Sequence, residues 1–195
     1  MAGADEGSTR ALRAGEAVAH HDRLAGAGRR PMAADRAGIL DAWIAALEGV
    51  REKLERGAMV ALVECGEGAS AILLAQAFPR SRTFGFDAHA PSMERATRAA
   101  RQAGVSDRLV FETASAASWP GSDFDLVGFF DGLPEPGDLA AVARRAHAAL
   151  RPGGTLVIVE PAAGRDVPEP APAGGFASFR RALETPTHRV FEARK

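Results

Sequence analysis

Apolar residues at Leu40, Trp43, Ile44, Leu47, Val50 and Leu54 follow the i, i+3, i+4, i+7 rhythm of an amphipathic helix, which Gly57 ends. From Ala58 the pattern changes. Short apolar runs alternate with helical stretches, which predicts repeated βαβ units and a parallel sheet. The runs "AMVALVE" (58–64), "TFGFD" (83–87), "RLVFE" (108–112), "FDLVGFF" (124–130) and "TLVIVE" (155–160) supply five strands. Helices are predicted between them at about 69–78, 91–103 and 137–150. The last carries Leu139, Val142, Ala143, Ala146 and Leu150 on one face, and "RPGG" (151–154) reads as its glycine stop. The Pro/Gly tract at 161–175 can form neither helix nor ladder and predicts a loop. The closing "FASFRRALETPTHRVFEARK" gives two apolar-polar runs around Glu184-Thr185-Pro186, a hairpin. Five parallel strands finished by an antiparallel hairpin differ from the six-strand dinucleotide fold.

Residues 1–38 are rich in Ala, Gly and Arg and contain no Phe, Trp or Tyr, so they bury little on ordering. They are expected to be flexible or loosely helical, with one domain from 39 to 195. His20-His21-Asp22 reads as a solvated group, because no second ligand set stands at helical spacing to make it a metal site. The 195 residues, 46% of them hydrophobic, suffice for one ordinary domain.

Charge narrows the partners. With 24 Lys+Arg against 25 Asp+Glu the net charge is -1, and the arginines are scattered, so nucleic acid gains no electrostatic footing. The single cysteine, Cys65, excludes an internal disulfide, and no apolar run has the length of a signal peptide core or a membrane span. The expected setting is a reducing cytoplasm, away from membranes. The helix at 39–55 would suit a homodimer as readily as its own sheet.

Open α/β sheets hold ligands at the carboxyl ends of their strands, beside strand one. There the chain reads Glu64-Cys65-Gly66-Glu67-Gly68, and strand two ends in Asp87. Glycines let a ligand approach the backbone, and an acid at that distance can accept both hydrogen bonds of a ribose diol. The same residues also suit a tight turn without a ligand and a helix N-terminal acid before Pro91-Ser92. "GEGASA" satisfies the dinucleotide pattern G-x-G-x-x-A, but Glu64 and Glu67 would then crowd a pyrophosphate. A sulfonium compound bearing an ammonium group meets no such repulsion.

The stretches "KLERGAMVALVECGEGASAILLAQAFPRSRTFGFDAHAPSMERA", "VSDRLVFETASAASWPGSDFDLVGFFDGL", "LRPGGTLVIVEP" and "FRRALETPTHRVFEAR" resemble the class I S-adenosylmethionine-dependent methyltransferases. The likeness runs from about residue 39 to the C-terminus and is strongest with an actinobacterial small-molecule group, here shortened and with a degenerate glycine motif. It implies an α/β three-layer sandwich whose mostly parallel seven-stranded sheet ends in an antiparallel hairpin. It also implies S-adenosylmethionine as donor and a small-molecule methyl acceptor. The implied donor-binding set is Glu64, Gly66, Gly68, Asp87, His89, Ala114, Ser115 and Phe130: Gly66 and Gly68 along the methionine and ribose side, Asp87 on the ribose hydroxyls, His89 over the same edge, Ala114 and Ser115 near the adenine, and Phe130-Asp131 at the mouth. His89 also suits a solvated loop and Phe130 a core position, while Trp119 suits packing under a loop better than stacking on adenine.

The chain departs from the family pattern at several places. Laid without gaps, Leu62 takes the place of the motif acid and Glu64 that of the first glycine. A two-residue shift would instead make Glu64 the acid, followed by Gly66, Gly68 and Ser70. After strand four Pro134 stands where a histidine base is expected, with Asp131 and Glu135 the neighbouring carboxylates. The Pro/Gly tract replaces a helical segment that covers the acceptor in relatives, and only a remnant of their N-terminal helical domain is present. Two roles follow: methyl transfer, or a catalytically impaired homologue acting as a binding or regulatory module. A nucleotide-dependent oxidoreductase is a third, opposed by the hairpin and the acidic loop.

Overall fold

A computed structural model describes residues 33–130, 139–163 and 174–195. The first 32 residues, with His20-His21-Asp22, lie outside the described residues, as do Asp131, Pro134, Glu135 and most of the Pro/Gly tract. Arg36–Lys195 form one compact unit. The described helices are α1 (Ala33–Ala46), α2 (Val50–Arg56), α3 (Ala69–Ala77), α4 (Ala90–Gln102) and α5 (Leu139–Ala149). Its strands are β1 (Met59–Val63), β2 (Arg82–Asp87), β3 (Leu109–Thr113), β4 (Phe124–Phe130), β5 (Leu150–Pro161), β6 (Ser178–Glu184) and β7 (His188–Arg194).

The strands form one seven-stranded sheet in the order β3-β2-β1-β4-β5-β7-β6. The pairs from β3 to β5 are parallel, and β7 runs antiparallel to both β5 and β6. This is the expected α/β three-layer, Rossmann-like architecture with its closing hairpin.

β1 lies at the centre because both its faces are apolar. Val60 and Leu62 join Leu40, Trp43, Ile44, Leu47, Val50, Leu54 and Leu74 in one buried cluster. Ala61 and Val63 join Phe86, Trp119, Phe129, Val142, Ala146 and Ile158 in a second cluster on the opposite face. Each continuous apolar run thus feeds two cores at once.

Two expected boundaries are corrected. The helix drawn through 39–55 is two helices, separated where Gly49 adopts a left-handed φ of 66°. All six of its periodic apolar residues are still buried in the chain's own core, so that face is not open to a second copy. The "RPGG" stretch does not cap α5. Leu150 already pairs with Phe124, the register then shifts, and Thr155 pairs with Leu126. Gly153 donates to the Lys195 carbonyl and Gly154 accepts from the Lys195 amide, so the glycines serve a strand irregularity beside the chain end.

The hairpin is tied by a buried acid. Glu192 on β7, 2% exposed, forms ion pairs with Arg180 on the edge strand β6 and with Arg194 on its own strand. A carboxylate at this depth needs such partners to stay charged.

Candidate functional site

The carboxyl ends of β1 and β2 lie side by side, with Val63 opposite Phe86. The Cys65 amide extends that ladder by one bond to the Phe86 carbonyl, at 3.1 Å. Beyond it the backbone becomes left-handed at every second residue: Glu64 has φ 57°, Gly66 φ 55° and Gly68 φ 77°. Glycine adopts this region freely, whereas other residues enter it at a cost of about 1–2 kcal/mol. Glu64 therefore occupies a backbone position made for glycine. That conformation fits the ungapped register, in which Glu64 takes the place of the first motif glycine just beyond the last residue of β1, Val63. Leu62 stands in the acid's place, 2% exposed within the apolar core.

Gly68 begins α3, and a Cβ there would run into the Phe111 ring and lie 3.1 Å from the Ala96 methyl. Gly85, inside β2, meets the same ring. Phe111 thus fills the layer directly behind the loop, which is why side chains are missing at both points.

Asp87 organises the site. It is 6% exposed; Oδ2 accepts the Gly66 N–H at 2.9 Å and Oδ1 accepts the His89 N–H at 2.8 Å. A carboxylate has about four acceptor positions, so two backbone amides leave capacity for a ligand diol. Its carbonyl also accepts the Ala114 N–H at 3.0 Å, which draws the chain leaving β3 up to the same edge.

Glu64 is half-buried, and its carboxyl is pushed up to about 7, first by burial and next by the Asp87 charge. The Ala116 backbone amide faces it and works in the opposite direction. Burial and the same two carboxylates push the Cys65 thiol up as well, so it is no thiolate nucleophile.

Glu67 behaves otherwise. It is exposed, and Arg95 Nε on α4 donates to its Oε1 at 2.8 Å. Arg95 also donates to Ser92 Oγ at 3.1 Å, and Ser92 Oγ lies 2.8 Å from His89 Nδ1. His89 is held at the entrance to α4 rather than freely solvated.

Ala114 is half-buried and Ser115 exposed, with Ser115 Oγ 2.7 Å from Ser118 Oγ. Trp119 is in the core: it is 1% exposed, stacks on Phe86 at 5.5 Å and lies under the Arg145 guanidinium at 4.3 Å. Packing, not an exposed stacking platform, is its observed role.

Phe130, at the end of β4, is half-buried and meets Trp43 of α1 edge-on, with centroids 5.7 Å apart. His188, at the start of β7, also meets Trp43 edge-on, with centroids 5.0 Å apart. Sequence patterning passes over His188, because only sheet order brings residue 188 beside residues 43 and 130. No cluster of three or more His, Cys, Asp or Glu side chains suited to a metal is present among the described residues.

Residues 60–154 match the family model described as a methyltransferase domain. A curated relative, the 27-O-demethylrifamycin SV methyltransferase of Amycolatopsis mediterranei, is 36% identical over 63% of this chain and 43% of its own length. The chain thus matches less than half of that relative. Among solved structures, an O-methyltransferase family protein from Burkholderia thailandensis aligns with TM-score 0.64 at 17% identity, over 81% of this chain and 55% of that one. The 4+2 cyclase SpnF aligns with TM-score 0.64 at 16% identity, over 82% of this chain and 81% of its own. The chain has the fold of the class I S-adenosylmethionine-dependent methyltransferases, and residues 60–154 match the methyltransferase-domain model.

Proposed function

We propose that the protein transfers a methyl group from S-adenosylmethionine to a small-molecule acceptor, the class of acceptor named for the rifamycin-related enzyme it resembles. The observation that carries this reading is Asp87: a buried carboxylate at the end of β2 with one oxygen on the Gly66 amide and the other on His89. The residues fit a ribose there. Asp87 would accept the diol, Gly66 and Gly68 would let the donor lie against bare backbone, and His89 and Ala114 would border the nucleoside. Phe130, steadied by Trp43, would wall the acceptor side. Glu64 and Leu62 are discordant with such a site.

When bound, the donor supplies an electrophilic methyl group. The chain's part is alignment, since an in-line displacement gains much of its acceleration from holding the two reactants in place. An acceptor that is already ionised needs no protein base, whereas a neutral hydroxyl or amine does. A cytoplasmic setting goes with this reading; no described helix is long and apolar enough to cross a membrane.

Calorimetric titration with S-adenosylmethionine and its demethylated product tests the proposal. Saturable binding of both, with NAD silent, supports it; NAD binding alone would favour an oxidoreductase. A second reading rests on Glu64 and Leu62, which replace a motif glycine and a motif acid. In it the chain keeps the fold as a binding or regulatory module and binds neither compound. The fold of SpnF, whose name is that of a cyclase, illustrates that architecture alone does not fix chemistry.

A further inference from the structure

Two stripes run side by side along α4. Met93, Ala96 and Ala100 are buried, whereas Glu94, Thr97, Arg98 and Arg101 repeat at the helical i, i+3, i+4, i+7 spacing and form a polar stripe beside them. The strand next to α4 is β3, which stands at the edge of the sheet and pairs with β2 alone. Between α4 and β3 lies a groove of about 360 Å³, lined by all four residues of the polar stripe and by Met93 and Phe111. That volume falls in the range of small-molecule sites, about 300–1,000 Å³.

The groove holds charge that the fold does not use. Arg95, beside the stripe, gives its guanidinium to Glu67, and the Thr97 hydroxyl donates to the Met93 carbonyl at 2.8 Å. The side chains of Arg98 and Arg101, both exposed, form no ion pair or hydrogen bond with any described residue, Glu94 included. Two guanidiniums one helical turn apart repel each other, and an anion held between them removes that repulsion. The apolar part of the lining is firm: Met93 is buried, and the ring of Phe111 is held against Gly68 and Gly85 from behind.

We propose that this groove binds a small organic monoanion, a carboxylate carried on a flat apolar body. Arg98 and Arg101 take the carboxylate, since a guanidinium donates two parallel N–H bonds to its oxygens. The body lies on Phe111 and Met93. Glu94 sets the charge of the ligand: two arginines and one glutamate leave the groove a single positive charge, which one carboxylate neutralises and a phosphate dianion overfills. Neither Asp87 nor the backbone of the glycine loop takes part, so the inference is independent of the donor reading.

The test is calorimetric titration of 2-naphthoate into the full chain at about pH 7.5, where the carboxylate is ionised. Its neutral counterpart 2-naphthalenemethanol and inorganic phosphate are the comparison ligands. Naphthoate should bind one to one, the alcohol should give no saturable heat, and phosphate should bind at least about tenfold more weakly than naphthoate. Arg98→Gln and Arg101→Gln should each lower naphthoate affinity about tenfold, while Glu94→Gln should raise it about threefold. All three positions are exposed, and unchanged thermal melts confirm that the variants keep the fold. Amide shifts of the isotope-labelled chain should move along α4 and β3. Absence of naphthoate binding, equal binding of the alcohol, or wild-type affinity in the double Arg98→Gln, Arg101→Gln variant would overturn the inference. Shifts confined to the strand ends around Asp87 would place the anion in the donor crevice and overturn it as well.

Discussion

The exits of β1 and β2 lie one strand apart and are built to opposite standards. At the end of β2 Asp87 takes one backbone amide on each oxygen. At the end of β1 a glutamate holds a glycine's conformation, and its half-buried carboxyl is pushed up by burial and by the Asp87 charge. The loop nevertheless keeps its shape: Gly66 and Gly68 retain their left-handed angles, and Gly68 still begins α3 against Phe111. The contrast shows where the fold gets its stability. Two apolar clusters on the faces of β1 fix the strand ends, and the loop chemistry is laid over that frame. A frame of this kind tolerates a costly residue at the ligand edge as long as the core is intact.

Breaking the sound half should have the largest effect. Asp87→Ala removes an acceptor from the proposed ribose and leaves the Gly66 and His89 amides without their partner. The expected loss in donor affinity is about a hundredfold or more by titration, since charge-assisted hydrogen bonds contribute about 1.5–3 kcal/mol each. Gly68→Val should cost about 2–3 kcal/mol in a denaturant melt, because the new side chain meets Phe111 at a φ of 77° that it adopts poorly.

Repairing the unsound half should act in the opposite direction. Glu64→Gly should tighten donor binding by about 1–3 kcal/mol and raise stability at about pH 8 by more than the about 1–2 kcal/mol that the backbone alone contributes. The sign follows from the raised carboxyl. The folded chain holds a proton between 4.5 and about 7 that the unfolded chain releases, so wild-type stability is greatest below that window and declines across it. The variant's advantage should therefore be full above neutrality and shrink in acid to the backbone contribution alone. Denaturant midpoints at about pH 8 and pH 5 measure it, and an equal gain at both would leave only the backbone explanation. Smallest of all, Trp119→Phe should cost under about 1 kcal/mol beyond the volume lost, because the buried Trp119 Nε1 has no hydrogen-bond partner to forfeit.

Most of the fold was legible in the sequence because buried parallel strands write themselves as continuous apolar runs. Val60 to Val63 and Phe124 to Phe130 could hardly be misread. Helix limits were less legible. Leu47 and Val50 keep an apolar rhythm across the break at Gly49, since each helix presents its own apolar face to the same core. "RPGG" carries the composition of a helix stop yet begins β5, because pairing with Phe124 and the Lys195 backbone outweighs that local signal. In the candidate site, Asp87 and the glycines were visible from spacing. The register at Glu64 was not, as only a φ angle separates a strand acid from a glycine position. The departure of Glu67 towards Arg95, and the meeting of His188 with Trp43 and Phe130, depend on packing that no local pattern encodes.

One titration bears most directly on the whole account: S-adenosylmethionine added to wild type and to Glu64→Gly at about pH 8, followed by heat. One-to-one binding to both, tighter in the variant by at least several-fold, is the predicted result. No heat from either protein would mean that these strand ends do not form a donor site, and only the scaffold reading would stand.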